Sequence, residues 1–221
     1  MEDNRFIITI NRECGTGGHD IATQLGKMLG LKVYDRAILD SLAEKFNISV
    51  EELEAIKARN TRWWDDFCNF YRQFGGASDH IEQAKRITPK QLYHAEAKIL
   101  RELAAQESCV IIGRSGFHIF KDDPAAFKIF LIAKEDKRVE RMMAKYSIDQ
   151  TEALRRIKEV DKTRENFTET FAGVSRYDAR NYDLVLNVGN LPTEPIAAFL
   201  ADLVRRRFSL KNAYPQRQIP I

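Results

Sequence analysis

Apolar positions along the chain recur with two different periods. Short runs of apolar and β-branched residues alternate with longer segments whose apolar residues return every three or four places. Ile7, Ile8, Thr9 and Ile10 make the first run, and turn-forming glycines follow within a few residues, so a short buried strand is predicted there. Further strands are predicted at 31–34, 108–113 (SCVIIG), 126–133 (AFKIFLIA) and 184–188. A helix is predicted after the first strand from the stripe Ile21, Ala22, Leu25, Met28 and Leu29. Pro89 opens another, running to about Gln106, with Leu92, Ala95, Ile99, Leu100 and Leu103 on its buried face and His94 and Glu96 turned to solvent or a cleft. Helices are also predicted over Glu135–Tyr146, over a highly charged stretch from Thr151 to about Thr163, and over Thr193–Arg207, whose apolar residues include Ile196, Phe199, Leu200 and Leu203.

The segment 37–58 is helical in pattern, with Ser49 and Glu52 spaced as a capping box. Trp63, Phe67, Phe70, Tyr71 and Phe74 then form an aromatic stripe that Gly75 and Gly76 end. Such a stripe packs against its own domain or against a second subunit, and both readings are preferred to a base-stacking platform. The polar stretch from Gly75 to Thr88 reads as a loop or hinge. Strands separated by helices predict an α/β fold, a three-layer α/β/α sandwich around a five-stranded parallel sheet. One domain over 1–208 is expected, with a helical insertion at about 37–88 and a C-terminal tail at 209–221.

The stretch from Phe6 to Leu29 has the order in which a phosphate-binding loop is built: strand, glycine turn, helix. Gly15, Gly17 and Gly18 leave no Cβ to obstruct an oxyanion, the amides converge on it, and the helix N-terminus adds partial positive charge. Against the Walker pattern G-x-x-x-x-G-K-[ST], with its second glycine on Gly17, Arg12 stands for the first glycine and Gly18 for the lysine. His19 or Asp20 stands for the hydroxyl residue. The alternative is a tight βα turn that binds nothing. A Rossmann loop is disfavoured because G-T-G-G is not G-x-G-x-x-G, although Asp35 lies at a plausible distance for a ribose carboxylate.

With 35 Lys+Arg against 32 Asp+Glu, the net charge of +3 gives no reason to expect a nucleic-acid partner. Cys14, Cys68 and Cys109 are few and scattered, so no disulfide framework or C-x-x-C metal site is expected, and a reducing, cytoplasmic location is. MEDNR leads straight into a strand with no signal-peptide character, and no apolar run reaches the about eighteen residues of a membrane helix.

With these pieces placed, the chain resembles the cytidylate kinase-like family, a branch of the P-loop nucleoside monophosphate kinases. The matching stretches are ITINRECGTGGHDIA, VYDRAIL, CVIIGRSGFHI, and EVDKTRENF ahead of YDLVLN; they lie in order and span nearly the whole chain. The resemblance implies a P-loop kinase-type sandwich with a lid over 138–180, ATP as phosphoryl donor, a pyrimidine monophosphate such as CMP or dCMP as acceptor, and Mg2+. It implies that Gly15, Thr16, Gly17, Gly18, His19 and Asp20 hold the donor's phosphates, and that Asp35, Arg36, Gly113, Arg114 and Asp161 serve the acceptor. The lid would comprise Arg155, Arg156, Asp161, Lys162 and Arg164, with Arg138 and Arg141 on the helix leading into it.

Such residues suit the chemistry. Phosphoryl transfer spreads charge over the moving group's oxygens, and fixed cations stabilise it, arginine with two parallel hydrogen bonds. A charged helix is also what a solvated face looks like, so Arg155 and Arg156 carry either reading. Losing the Walker lysine removes a contact that is typically worth about 3–4 kcal/mol. Arg12 is expected to replace it as a catalytic cation alongside Arg155, Arg156 and Arg164, and Asp20 to take the magnesium directly. The alternative for Arg12 is a pairing with Glu13 or Asp35 that merely anchors the loop. Three functions remain open: an ATP-dependent kinase, a nucleotide-binding module that keeps the fold without useful transfer, and, more remotely, a phosphosulfate-dependent sulfotransferase.

Overall fold

The computed structural model describes residues 5–35 and 89–210. Arg36, the 37–88 insertion with Trp63 to Phe74, Cys68 and nearly all of the tail lie outside the described residues, as do the side chains of Leu92 and Ala95.

The chain runs β1 (Ile7–Arg12), α1 (Gly18–Leu29), β2 (Lys32–Tyr34), α2 (Pro89–Gln106), β3 (Cys109–Ile112), α3 (Gly116–Ile119), β4 (Ala126–Ile132), α4 (Glu135–Tyr146), α5 (Gln150–Ala172), a 3-10 turn at Ala179–Asn181, β5 (Leu184–Asn187) and α6 (Thr193–Arg207). All five strands lie in one sheet in the order β2-β3-β1-β4-β5, and every pairing is parallel. With β1 in the middle, its residues Ile7 to Asn11 are all buried, which is why its sequence is continuously apolar or β-branched rather than alternating.

Side-chain alternation divides the interior into two cores. Ile8, Ile10, Val110, Ile112, Ile129 and Leu131 face α1 and α6, where Ile21, Leu25, Ile196 and Leu200 meet them. Ile7, Cys109 and Ile111 face the other way, toward Tyr93, Ile99, Leu100 and Leu103 of α2 and Phe167 of α5. Phe199 of α6 belongs to neither core and is 52% exposed. No helix among the described residues is long and apolar enough to cross a membrane.

Three features depart from the expected elements. β1 continues two residues beyond its apolar run, because Asn11 and Arg12 stay in register with Phe130 and Leu131 of β4. α5 spans 23 residues and does not stop near Thr163. Its extension carries Phe167 and Phe171 onto Tyr93, with ring centroids 6.1 and 5.5 Å away, so packing continues a helix whose charged surface had suggested an end. The single turn α3 was not expected, being too short to show a period. Together these place the C-terminal ends of β1 and β3, the start of α1 and the middle of α5 around one corner of the sheet, the side on which open α/β sheets bind ligands.

Candidate functional site

The loop Glu13–Gly17 joins β1 to α1, with Gly15 and Gly17 at φ 83° and 74°, a region open to glycine and strained for other residues. The Thr16 hydroxyl closes it by donating to the Glu13 carbonyl at 2.8 Å. The amides of Gly15, Gly17, Gly18 and His19 donate to no acceptor among the described residues. Four such amides at the N-terminus of a 12-residue helix are the donors an anion would need.

The missing lysine has a steric explanation. A β-carbon on Gly18 would lie 2.8 and 2.9 Å from Cγ and Cβ of Arg12, and one on Gly113 would overlap Arg12 Nη1. The Arg12 stem therefore crosses the lysine position and its guanidinium lies against the turn after β3. Glu13 is turned elsewhere: its carboxylate accepts from the Ala133 amide at 3.0 Å and lies 3.7 Å from Arg138 Nε. Arg12 thus spans the two glycine turns expected to serve donor and acceptor.

The turn after β3 is strained. Gly113, Arg114 and Ser115 have φ of 72°, 55° and 52°, three successive left-handed residues of which two carry side chains. Such residues cost about 1–3 kcal/mol each and persist where their surroundings fix them. Here the Gly116 amide donates to the Gly113 carbonyl at 2.9 Å, and Arg114 is paired with Glu96. Arg114 Nε donates to Glu96 Oε2 at 3.0 Å, and the two side chains are 8% and 5% exposed. The sequence reading had Glu96 facing solvent or a cleft; it is buried, because the register of α2 points it at a buried guanidinium, whereas His94 is exposed. Arg114 is thereby placed beside the site with its fork occupied by protein.

On the other side of the loop, Asp161 gathers the charges. Its carboxylate accepts from the Cys14 amide at 2.9 Å and from Arg138 Nη1 at 2.5 Å, with Arg176 Nη1 at 3.5 Å and Arg164 Nη1 at 3.7 Å. Arg176 Nη2 and Arg164 Nη1 donate to the Arg12 carbonyl at 2.5 and 3.2 Å. Arg141 ties the loop to the segment after β5, donating to the carbonyls of Thr16 at 3.1 Å, Val188 at 2.8 Å and Leu191 at 3.1 Å. Burial pushes the Cys14 thiol's pKa up, and its side chain packs on the apolar cluster of Val139, Met142, Ala153 and Ile157 between α4 and α5.

Arg176 was not singled out in the sequence. It is 2% exposed, its guanidinium 5.5 Å from the Phe130 ring and 5.3 Å from that of Tyr177. Burial, and then neighbouring Arg164, pull its pKa below the usual arginine value, while Asp161 opposes them. The one hint in the sequence was an arginine followed by Tyr177 and, six residues on, Tyr182, which is weak.

The fold brings Gly15 to His19, Arg12, Asp161, Arg164 and Gly113 together, and Asp35 joins them through His19, Nδ1 to Oδ2 at 3.8 Å. Other expected residues stand apart. Asp20 is half exposed, with Lys145 at 3.8 Å. Arg155 pairs with Glu152 and Glu159 at 2.7 Å, and Arg156 with Glu152 at 2.5 Å. Arg155, then Arg156, holds the Glu152 carboxyl down to about 2. Lys162 is exposed. Among the described residues no group of three or more His, Cys, Asp or Glu could hold a metal ion. That donor set still fits magnesium on a nucleotide, which needs only one or two protein carboxylates beside phosphate oxygens and water.

Two outcomes follow from this packing. Gly18→Lys should lower stability by about 1–3 kcal/mol in urea denaturation, because its stem overlaps that of Arg12, and adding Arg12→Gly should recover most of the loss. Arg114→Ala strands the Glu96 carboxylate and should cost about 3–5 kcal/mol in the same measurement.

A sequence profile of the cytidylate kinase-like family matches residues 7–190. A cytidylate kinase of Methanopyrus kandleri is 28% identical over 190 residues, 82% of this chain and 83% of that protein. One from Thermoplasma acidophilum is 22% identical over 199 residues, 89% of this chain and 91% of that protein. The crystal structure of an uncharacterized protein from Eubacterium ventriosum superposes with a TM-score of 0.67 at 23% identity, covering 91% of this chain and 99% of its own. The family profile spans most of the chain, and the chain belongs to the cytidylate kinase-like family.

Proposed function

We propose that the protein transfers the γ-phosphoryl group of ATP to a nucleoside monophosphate, CMP or dCMP, using a glycine loop rebuilt around Arg12. The observation that carries this reading is the course of Arg12 across Gly18 to Gly113, which puts a guanidinium between an anion cradle and a second glycine turn. That is where charge develops when a phosphoryl group passes from one side to the other, and a fixed fork there needs no reorganisation during transfer.

The amides of Gly15 to His19 hold the donor's phosphates, Asp35 and Gly113 serve the acceptor together with Arg36, which the family resemblance assigns and which lies outside the described residues, and Arg164 stands beside the Arg12 carbonyl as a second cation. Asp20 would hold magnesium, which would supply neutralisation of the donor's phosphate charge. Arg155 and Arg156 contribute when their pairings with Glu152 and Glu159 are exchanged for phosphate. The family resemblance assigns the 37–88 insertion, which lies outside the described residues, to the acceptor, and 138–180 to the lid.

The test is ADP release from magnesium ATP with CMP, dCMP, UMP and AMP as acceptors. Turnover is expected with the cytidine nucleotides, and Arg12→Ala should lower it by about two decades with little change in melting temperature. Arg12→Lys should recover only part, since a point charge replaces a fork. ATP binding without turnover for any acceptor would overturn the transfer reading in favour of a binding module. A lower melting temperature with unchanged turnover per folded molecule would reduce Arg12 to a loop anchor.

A further inference from the structure

We infer that Asp161 and Arg176 are positioning residues that aim Arg12, so that the geometry of the donor loop is imposed from outside it, by α5 and the segment that follows. The inference rests on the transfer reading above and names residues that act through Arg12.

The two peptide groups on either side of Glu13 are both captured. The Arg12 carbonyl accepts from Arg176 Nη2 at 2.5 Å, and the Cys14 amide donates to Asp161 Oδ1 at 2.9 Å. Their captors face each other, Arg176 Nη1 lying 3.5 Å from that same Asp161 oxygen. Arg138 closes the ring, its Nη1 reaching Asp161 Oδ2 at 2.5 Å and the Cys14 carbonyl at 3.4 Å. Fixing the peptide plane after Arg12 fixes the direction in which its Cα–Cβ bond leaves β1. From there the contacts with Gly18 and Gly113 leave the stem one course.

The group is built to be stiff. Asp161 is 7% and Arg176 2% exposed, and the Arg176 guanidinium lies over the adjoining rings of Phe130 and Tyr177. A buried carboxylate among guanidiniums is costly to disrupt by removing one partner. A loop that keeps a nucleotide cradle but has lost the lysine of its pattern needs such outside support, since misplacing a reacting group by about 1 Å can cost two decades in rate. Asp161 thus acts without touching a nucleotide.

The experiment is a pair of double-mutant cycles, Arg176→Lys and Asp161→Asn, each with and without Arg12→Ala, in the full chain. For each variant kcat, KM for ATP and for CMP, and melting temperature are measured, with calorimetric titration of adenosine 5′-(β,γ-imido)triphosphate alongside. Arg176→Lys keeps the charge but cannot serve the Arg12 carbonyl and Asp161 together. It should lower kcat by about tenfold or more with both KM values little changed, and that loss should largely vanish when Arg12 is already alanine. Asp161→Asn, the milder change, should give the same pattern and covers the case in which Arg176→Lys does not fold. Equal losses in both Arg12 backgrounds would overturn the inference, as the pair would then serve only stability. So would a rise confined to the KM for CMP, which would place Asp161 on the acceptor, or tighter binding of the analogue to Asp161→Asn, which would make Asp161 a stand-in for phosphate. A neutral Arg12→Ala sinks the role of Arg12 itself, whereas a costly Arg12→Ala with additive second substitutions sinks only the aiming. Should no acceptor turn over, the cycle is read in affinity for the analogue, where Arg176→Lys must weaken binding only when Arg12 is present.

Discussion

A single buried carboxylate organises this corner of the molecule. Asp161 accepts from the Cys14 amide and from Arg138, with Arg164 and Arg176 close by, and it is 7% exposed. Like charges cannot be gathered so closely without a counter-charge, and an isolated buried carboxylate would be equally untenable. Each side of the arrangement therefore requires the other. The consequence is that the glycine loop and α5 are parts of one unit, joined by ion pairs and by the Cys14 side chain packed between α4 and α5.

The loop departs from the Walker pattern in a physically consistent way. A residue with a long side chain at position 12 and a glycine at position 18 are complementary, because the stem of the first fills the space a β-carbon of the second would need. The departures from the Walker pattern at these two positions are thus sterically linked. Strain is stored close by, in the left-handed residues Gly113, Arg114 and Ser115, and the buried pair of Arg114 with Glu96 holds them in place. Such strain persists because the surrounding pairings over-determine the turn.

The sequence by itself determined the layers and the loop. Five apolar runs separated by helical periods led to the parallel sheet, because a strand covered on both faces must be apolar at every position, and this signal is local. The glycines at 15 and 17 fixed the turn, and the spacing showed glycine at position 18 where the Walker pattern has lysine. The glycine loop at the start of the first helix was legible because its residues are close in sequence. What the sequence did not determine was which charges meet. Glu96 and Arg114 are 18 residues apart, Cys14 and Asp161 147, and Arg12 and Arg176 164, so only the tertiary structure could decide these pairings. A charged residue has the same local pattern whether it faces water or a buried partner. Arg155 and Arg156 therefore looked like Arg164 in the sequence, yet they pair along their own helix while Arg164 turns to the loop, and Arg176 gave almost no sign of being among the most deeply buried side chains of the fold.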